Sequence, residues 1–131
     1  MIMRQFKCDS VLFPFNHVCW AHGFGPAVYE AARQMGVARL ALKAMARTVK
    51  TQRPGKHPKC WYEPAEEPQA VRDALGFTLS LDLTAAIPPG DEALFRLALD
   101  AAPGLRPLSA AERDRILEQA RGLKAIFAPS R

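Results

Sequence analysis

Three short apolar segments, each followed by a helical pattern, constrain the fold of this chain more than any other feature. The apolar segments span residues 11–15, 37–42 and 83–87. Helical patterns begin near Pro26, Pro68 and Asp91, and a last helix begins with the capping box Ser109–Glu112. Strands that alternate with helices in this order predict an α/β fold with a parallel sheet. The helical periodicity also predicts buried positions at Met35, Leu79 and Phe95.

The chain is too short for the closed barrels in which such units often occur. Its 131 residues provide a single domain, 1–131, whereas an eight-stranded (β/α) barrel needs roughly 200 residues or more. Three strands leave two open edges, and a parallel sheet needs both of its faces covered. The sequence therefore predicts about three parallel strands alternating with helices, plus a C-terminal helix, in a sheet that is incomplete by itself.

Positive charge is concentrated in one segment that has no acidic residue. The formal net charge is +5, and no Asp or Glu lies between Glu30 and Glu63. Eight basic residues lie in that interval: Arg33, Arg39, Lys43, Arg47, Lys50, Arg53, Lys56 and Lys59. Residues 44–67 are also rich in proline, which predicts a long basic loop anchored by the sequence Cys60-Trp61-Tyr62. An anionic partner and a solvated, flexible loop both explain such a segment.

Several classes of protein are disfavoured by the remaining features. No apolar run approaches the ~20 residues that span a bilayer, and the basic N-terminus lacks the apolar region of a secretory signal. We therefore expect a cytoplasmic protein without membrane contact. The three cysteines form no CxxC pair and the histidines share no ligand spacing, so no metal site is predicted. We expect His17, His22 and His57 at surface or turn positions.

Three stretches of sequence resemble the last three strands of the aldo/keto reductases. They are Leu12-Phe-Pro-Phe-Asn16, Gly36-Val-Ala-Arg-Leu-Ala-Leu-Lys-Ala-Met45 and Leu81-Asp-Leu-Thr-Ala-Ala-Ile-Pro-Pro-Gly90. The resemblance is strongest to bacterial oxidoreductases of that superfamily, which share the Cys60-Trp-Tyr62 insertion and the Ala86-Ile-Pro-Pro-Gly90 turn. It covers residues from about 9 to 127.

This resemblance implies a partial TIM barrel, corresponding to about strands six to eight of a (β/α)8 enzyme that reduces carbonyls with NADPH. The catalytic Asp, Tyr, Lys and His of the family belong to the first half of the barrel. No residue of this chain corresponds to them, so no catalytic residue is assigned and the isolated chain is expected to be inactive. The expected partner is the missing N-terminal half-barrel.

The resemblance also implies a surface for a nicotinamide cofactor at the carboxyl ends of the strands. Asn16 matches an asparagine that the family often has after this strand, and Lys43 lies where the family contacts the cofactor pyrophosphate. Leu42 stands where many members stack an aromatic ring on the nicotinamide, and Leu12 stands near a frequent glutamine. Both departures imply that this chain holds the nicotinamide less specifically.

The resemblance also implies that the adenosine 2′-phosphate of the cofactor lies at the third strand end. Pro89 and Gly90 precede a helix N-terminus, which is a favourable place for phosphate. Asp91 and Glu92 would repel a phosphate at close range, although Arg96 lies one turn further and would compensate. The cofactor that the resemblance implies is NADP, and the two acidic residues leave NAD open.

Two hypotheses from other classes remain beside the oxidoreductase. The segment 43–62 would serve as a basic nucleic-acid-binding module in which Trp61 and Tyr62 stack on bases, although its basic residues are spread among prolines and nucleic acid is the less favoured partner. Alternatively, the chain would be a self-associating half-barrel without enzymatic role, because open strand edges pair between copies.

Overall fold

A computed structural model describes residues 3, 5–51 and 55–129 of the chain. The strands are β1 (Ser10–Pro14), β2 (Ala38–Leu42), β3 (Ala46–Val49), β4 (Tyr62–Pro64) and β5 (Ala85–Ala86). The helices are α1 (His17–Ala21), α2 (Pro26–Gln34), α3 (Pro68–Leu79), α4 (Glu92–Ala101) and α5 (Ala110–Arg121), with a 3-10 turn at Ala102–Gly104. The fold is mixed α/β, and the described residues form no closed barrel.

The main sheet contains three parallel strands in the order β1-β2-β5. Leu12 pairs with Leu40 across the first two strands, and Leu40 pairs with Ala85 across the next two. The prediction of three adjacent parallel strands is confirmed. β1 and β5 lie at the two edges of this sheet.

The segment 44–67 differs from the predicted long loop because it contains a two-stranded antiparallel ribbon. Ala46 pairs with Pro64 and Val49 pairs with Tyr62, with an irregularity in the register between Ala46 and Thr48. Ala46, Tyr62 and Pro64 are buried, so packing against the body of the protein stabilises strands that are too short to give a clear alternating pattern. Arg53 and Pro54 lie outside the described residues.

Helix boundaries follow the sequence signals closely. Pro26 occupies the first turn of α2, and Gly36 after its end has a φ of 66°, the left-handed conformation that favours glycine. Ser109 and Glu112 form the predicted reciprocal capping box of α5. The five-residue helix α1 was not predicted, because it is too short to show a periodic pattern.

One face of the main sheet packs against helices. Phe13, Phe15 and Ala41 form an apolar cluster with Phe77 of α3 and Ile116 of α5. The rings of Phe15 and Phe77 stack with their centroids 6.2 Å apart. This cluster holds the sheet against α3 and α5. The packing thereby also holds the ends of the strands in place.

The other face of the main sheet is apolar but incompletely buried. We use the term uncovered face for Leu12, Leu40, Leu42, Ala85 and Ile87, which strand alternation and register place on the side opposite Phe13 and Ala41. None of them is fully buried, and Leu12 is 52% exposed. The three apolar clusters of the described residues contain none of them.

An apolar groove lies beside the β5 edge, and it explains two incorrect burial predictions. Leu79 and Phe95, which were expected in the core, are exposed and line this groove together with Leu99 and Ile87. Met35 is also exposed, at the end of α2. Helical periodicity correctly predicted which faces of α3 and α4 pack against the protein. At Leu79 and Phe95, however, no other part of the described chain covers these faces.

Candidate functional site at the carboxyl ends of the strands

Asn16 lies directly after β1, but its amide bonds to the protein itself. The side chain is almost fully buried, at 1% exposure. Its Oδ1 accepts a hydrogen bond from the backbone N–H of Cys19 at 2.8 Å, which caps α1. Its Nδ2 donates to the carbonyl oxygen of Lys43 at 3.2 Å. Asn16 therefore positions the residue after β2 and does not itself face a ligand.

Lys43 has a backbone conformation that non-glycine residues rarely adopt. Its φ is 66°, and it follows β2 at the carboxyl end of the sheet. The carbonyl oxygen of Lys43 accepts from both the Asn16 amide and the backbone N–H of Ala46, at 3.2 and 2.9 Å. These two bonds hold the left-handed turn that leads from β2 into the ribbon.

The ammonium group of Lys43 lies over two aromatic rings. Its Nζ is 5.1 Å from the centroid of Tyr62 and 5.8 Å from that of Trp61. Burial, reinforced by the Cys60 thiol, raises the pKa of the Tyr62 phenol, so this ring is neutral at physiological pH. The rings stabilise the cation through their electron-rich faces.

Lys43, Pro89 and Gly90 line one small cavity, so the structure brings together three of the five residues predicted for the cofactor. Leu42, Tyr62 and Ile87 contribute to the same cavity. Its volume is about 40 Å³, which is room for about one water molecule and not for a nicotinamide ring. A larger molecule would have to lie across the mouth of this cavity.

The N-terminus of α4 is already occupied by a side chain of the protein. Asp91 Oδ1 accepts from the backbone N–H groups of Ala93 and Leu94 at 3.1 and 3.2 Å. The N–H groups expected to meet a phosphate are therefore bonded to a carboxylate. Arg96 is exposed one turn further along α4.

Four of the eight basic residues in the acid-free segment are paired with carboxylates from outside it. Arg33 pairs with Glu30, Arg39 with Asp82, Lys56 with Glu66 and Lys59 with Glu92. The Nζ atom of Lys50 donates to the carbonyl oxygens of His57 and Cys60, both at 2.9 Å. The pairs of Arg39, Lys56 and Lys59 join the segment to other parts of the protein and occupy charges that a nucleic acid would otherwise contact.

His57 connects the proline-rich segment to α4, an interaction that sequence reasoning missed. It is buried, contrary to the expected surface position. Its Nδ1 lies 3.1 Å from Asp91 Oδ2, and its Nε2 lies 3.1 Å from Glu66 Oε1. Burial raises the pKa of Asp91. The hydrogen bond from the backbone N–H of Leu94 and the interaction with the His57 side chain outweigh this effect, so the pKa of Asp91 is lowered overall. We refer to His57, Asp91 and Glu66 as the histidine latch.

Three further observations limit the functional assignment. Within residues 3, 5–51 and 55–129, no cluster of His, Cys, Asp and Glu side chains is arranged to hold a metal ion. No helix in the described part of the chain is long and apolar enough to cross a membrane. No protein-family model, curated protein or solved structure matches the chain.

Proposed function

We propose that the chain is part of an aldo/keto reductase-like barrel and contributes an NADP(H)-binding surface without the catalytic residues. The observation that carries this proposal is the uncovered face of a parallel sheet whose strands follow one another in chain order. Each strand of a (β/α) barrel also lies beside the next one in sequence, and its inward side chains pack inside the closed ring. A part of such a barrel therefore has helices on one face and exposed apolar side chains on the other.

The strand edges support the same interpretation. Within the described residues, β1 and β5 each pair with a strand on one side only, and the apolar groove of Leu79, Phe95 and Leu99 lies next to β5. Isolated parallel sheets with one bare apolar face are rare, because the cost of hydrating that face is avoided by a second layer. The proposed partner is the N-terminal half of the barrel.

The proposed cofactor surface is centred on Lys43. Lys43 lines the same small cavity as Pro89 and Gly90, and its ammonium group would supply a point charge for a phosphate of the cofactor. Asp91 occupies the backbone N–H groups of α4, so Arg96 is the group that would distinguish NADP from NAD. We propose NADP as the cofactor, and this chain as catalytically inactive by itself.

Titration with NADPH, followed by the fluorescence of the reduced nicotinamide, tests the cofactor role. We expect Lys43→Met to weaken binding by about tenfold or more, because a charge-assisted hydrogen bond is lost. Lys7→Met is the matched control, since Lys7 is exposed and precedes the amino end of β1, whereas Lys43 follows the carboxyl end of β2. Absence of binding, both alone and with the first half of a bacterial aldo/keto reductase barrel added, would eliminate the cofactor role.

Cofactor preference has a separate test in the same titration. Arg96→Ala is expected to weaken NADPH binding while leaving NADH binding unchanged, because only NADPH carries the 2′-phosphate. Equal effects on both cofactors would contradict the assignment of Arg96 to that phosphate.

A second candidate, a self-associating half-barrel without enzymatic role, is favoured by the same uncovered face. In that case a second copy of the chain would cover Leu12, Leu40 and Leu42 instead of an N-terminal half. The two candidates differ in the cofactor titration, because the self-associating form requires no NADPH binding.

A further inference from the structure

A second cavity, separate from the cofactor surface, has the chemistry of a ligand site. It has a volume of about 350 Å³, within the range of small-molecule sites, and lies between α1, β3, α3 and α5. Its polar lining consists of His17, Arg47, Asp73 and Gln119, and its apolar lining includes Ala65 and Ile116. No residue proposed above for the cofactor lines it.

The acceptor groups of this cavity already have partners within the protein. Asp73 Oδ1 accepts from Gln69 and from Arg115, at 2.8 and 3.1 Å, and its Oδ2 accepts from Arg115 at 3.3 Å. Gln119 Oε1 accepts from the same Arg115 at 3.2 Å. A ligand that offers mainly donors would therefore find few available acceptors.

The donor groups, in contrast, are largely unused. Arg47 is exposed, and its side chain has no hydrogen bond or ion pair with any residue in the described ranges. The Nδ1 atom of His17, a side chain only 8% exposed, has no hydrogen-bond partner among the described residues. The amide nitrogen of Gln119 is a further donor at the same wall.

The charge balance selects an anion with a single charge. Asp73 is neutralised by Arg115, so Arg47 supplies the net charge of the site. Burial lowers the pKa of His17 to about 4, with Asp73 raising it and Arg47 lowering it, so the imidazole is neutral near pH 7. The apolar wall suits a short hydrocarbon chain.

We propose that this cavity binds a small molecule that carries one carboxylate on a short apolar chain. Arg47 pairs with the carboxylate, Gln119 and His17 provide additional hydrogen bonds, and the apolar chain lies against Ala65 and Ile116. The inference is independent of the barrel and of NADP.

Hexanoate, hexanamide and inorganic phosphate serve as probes, followed by amide chemical shifts of the isotopically labelled chain. We expect hexanoate to shift the amide signals of Arg47, Asp73 and Gln119. Hexanamide should bind at least about tenfold more weakly than hexanoate, because it lacks the charge. Shifts located elsewhere, or equal affinity for hexanamide, would overturn the proposal. Displacement of hexanoate by phosphate at lower concentration would overturn the choice of a carboxylate.

Two variants test the roles of the side chains. Arg47→Gln should weaken hexanoate binding by about tenfold, whereas Arg33→Gln, at an exposed arginine on α2, should leave it unchanged. Gln119→Glu adds a negative charge at an exposed position without altering Arg47, and it should also weaken binding. A native amide spectrum for each variant separates lost binding from lost folding, and wild-type affinity in folded Arg47→Gln would contradict the proposal.

Discussion

The side chain of Asn16 donates a hydrogen bond to the main-chain carbonyl of Lys43 while accepting one from Cys19. One buried amide thus starts α1 and supports the left-handed turn after β2. This relationship connects the ends of two parallel strands at the residue whose ammonium group lies over Trp61 and Tyr62.

Replacement of Asn16 should affect stability and the cofactor surface together. Asn16→Ala removes the helix cap and leaves the Lys43 carbonyl with one bond fewer, so we expect a loss of about 2 kcal/mol in the free energy of unfolding. Asn16→Ser retains a capping oxygen and should lose less. Urea unfolding measures both.

The matched control is Ser109→Ala, which removes the side-chain cap of α5 far from Lys43 in sequence. It should cost about 1 kcal/mol without changing NADPH binding, whereas both Asn16 variants should weaken binding. Unchanged cofactor affinity in folded Asn16→Ala would show that the amide does not position Lys43.

The histidine latch is expected to hold the proline-rich segment on α4. Asp91→Ala removes the cap of α4 and the contact with His57, so it should lower the urea midpoint and increase proteolysis between the two ribbon strands. Asp91→Asn retains the capping oxygen and loses the charge, so its midpoint should lie between those of wild type and Asp91→Ala. Asp100→Ala, at an exposed position on α4, serves as the control. Protease sensitivity equal to wild type in Asp91→Ala would contradict the latch.

His17 should make stability depend on pH. Burial lowers its pKa from 6.5 to about 4 in the folded protein, while Asp73 raises this pKa and Arg47 lowers it by smaller amounts. Above pH 6.5 both states are neutral, but between pH 6.5 and 4 the unfolded chain binds a proton that the folded protein does not. Stability contributed by this residue is therefore complete above the unfolded pKa and falls by about 3 kcal/mol as the pH decreases through that window.

Urea unfolding at several pH values checks this expectation by comparison of variants. His17→Gln should remove this part of the pH dependence, while His22→Gln, at an exposed position, should retain it. The same slope in wild type and His17→Gln would assign the dependence to other groups.

Local signals in the sequence were sufficient for most of the secondary structure. The capping box at Ser109, the proline at the start of α2 and the glycine after its end each depend on neighbouring residues only. The three parallel strands were also predictable, because each is a short apolar run between helical patterns. These features gave the order of the elements.

Interactions between residues far apart in sequence could not be predicted in the same way. The β3–β4 ribbon pairs short segments across the proline-rich connection, and His57 meets Asp91 only after that segment folds back. The direction of the Asn16 amide depends on a carbonyl that follows the next strand. The cavity of His17 and Arg47 combines four separate elements, so its composition becomes visible only in three dimensions.

Sedimentation equilibrium of the isolated chain tests the central claim, that its parallel sheet is incomplete. We predict association in the absence of an N-terminal half, because the uncovered face and both strand edges are available. Leu12→Asp should shift the chain to a monomer while changing the free energy of unfolding by no more than about 0.5 kcal/mol, since Leu12 is exposed. Met35→Asp, at the exposed residue that directly follows α2, should leave association intact. A wild-type chain that remains monomeric at all concentrations, or association that Leu12→Asp does not reduce, would contradict the account.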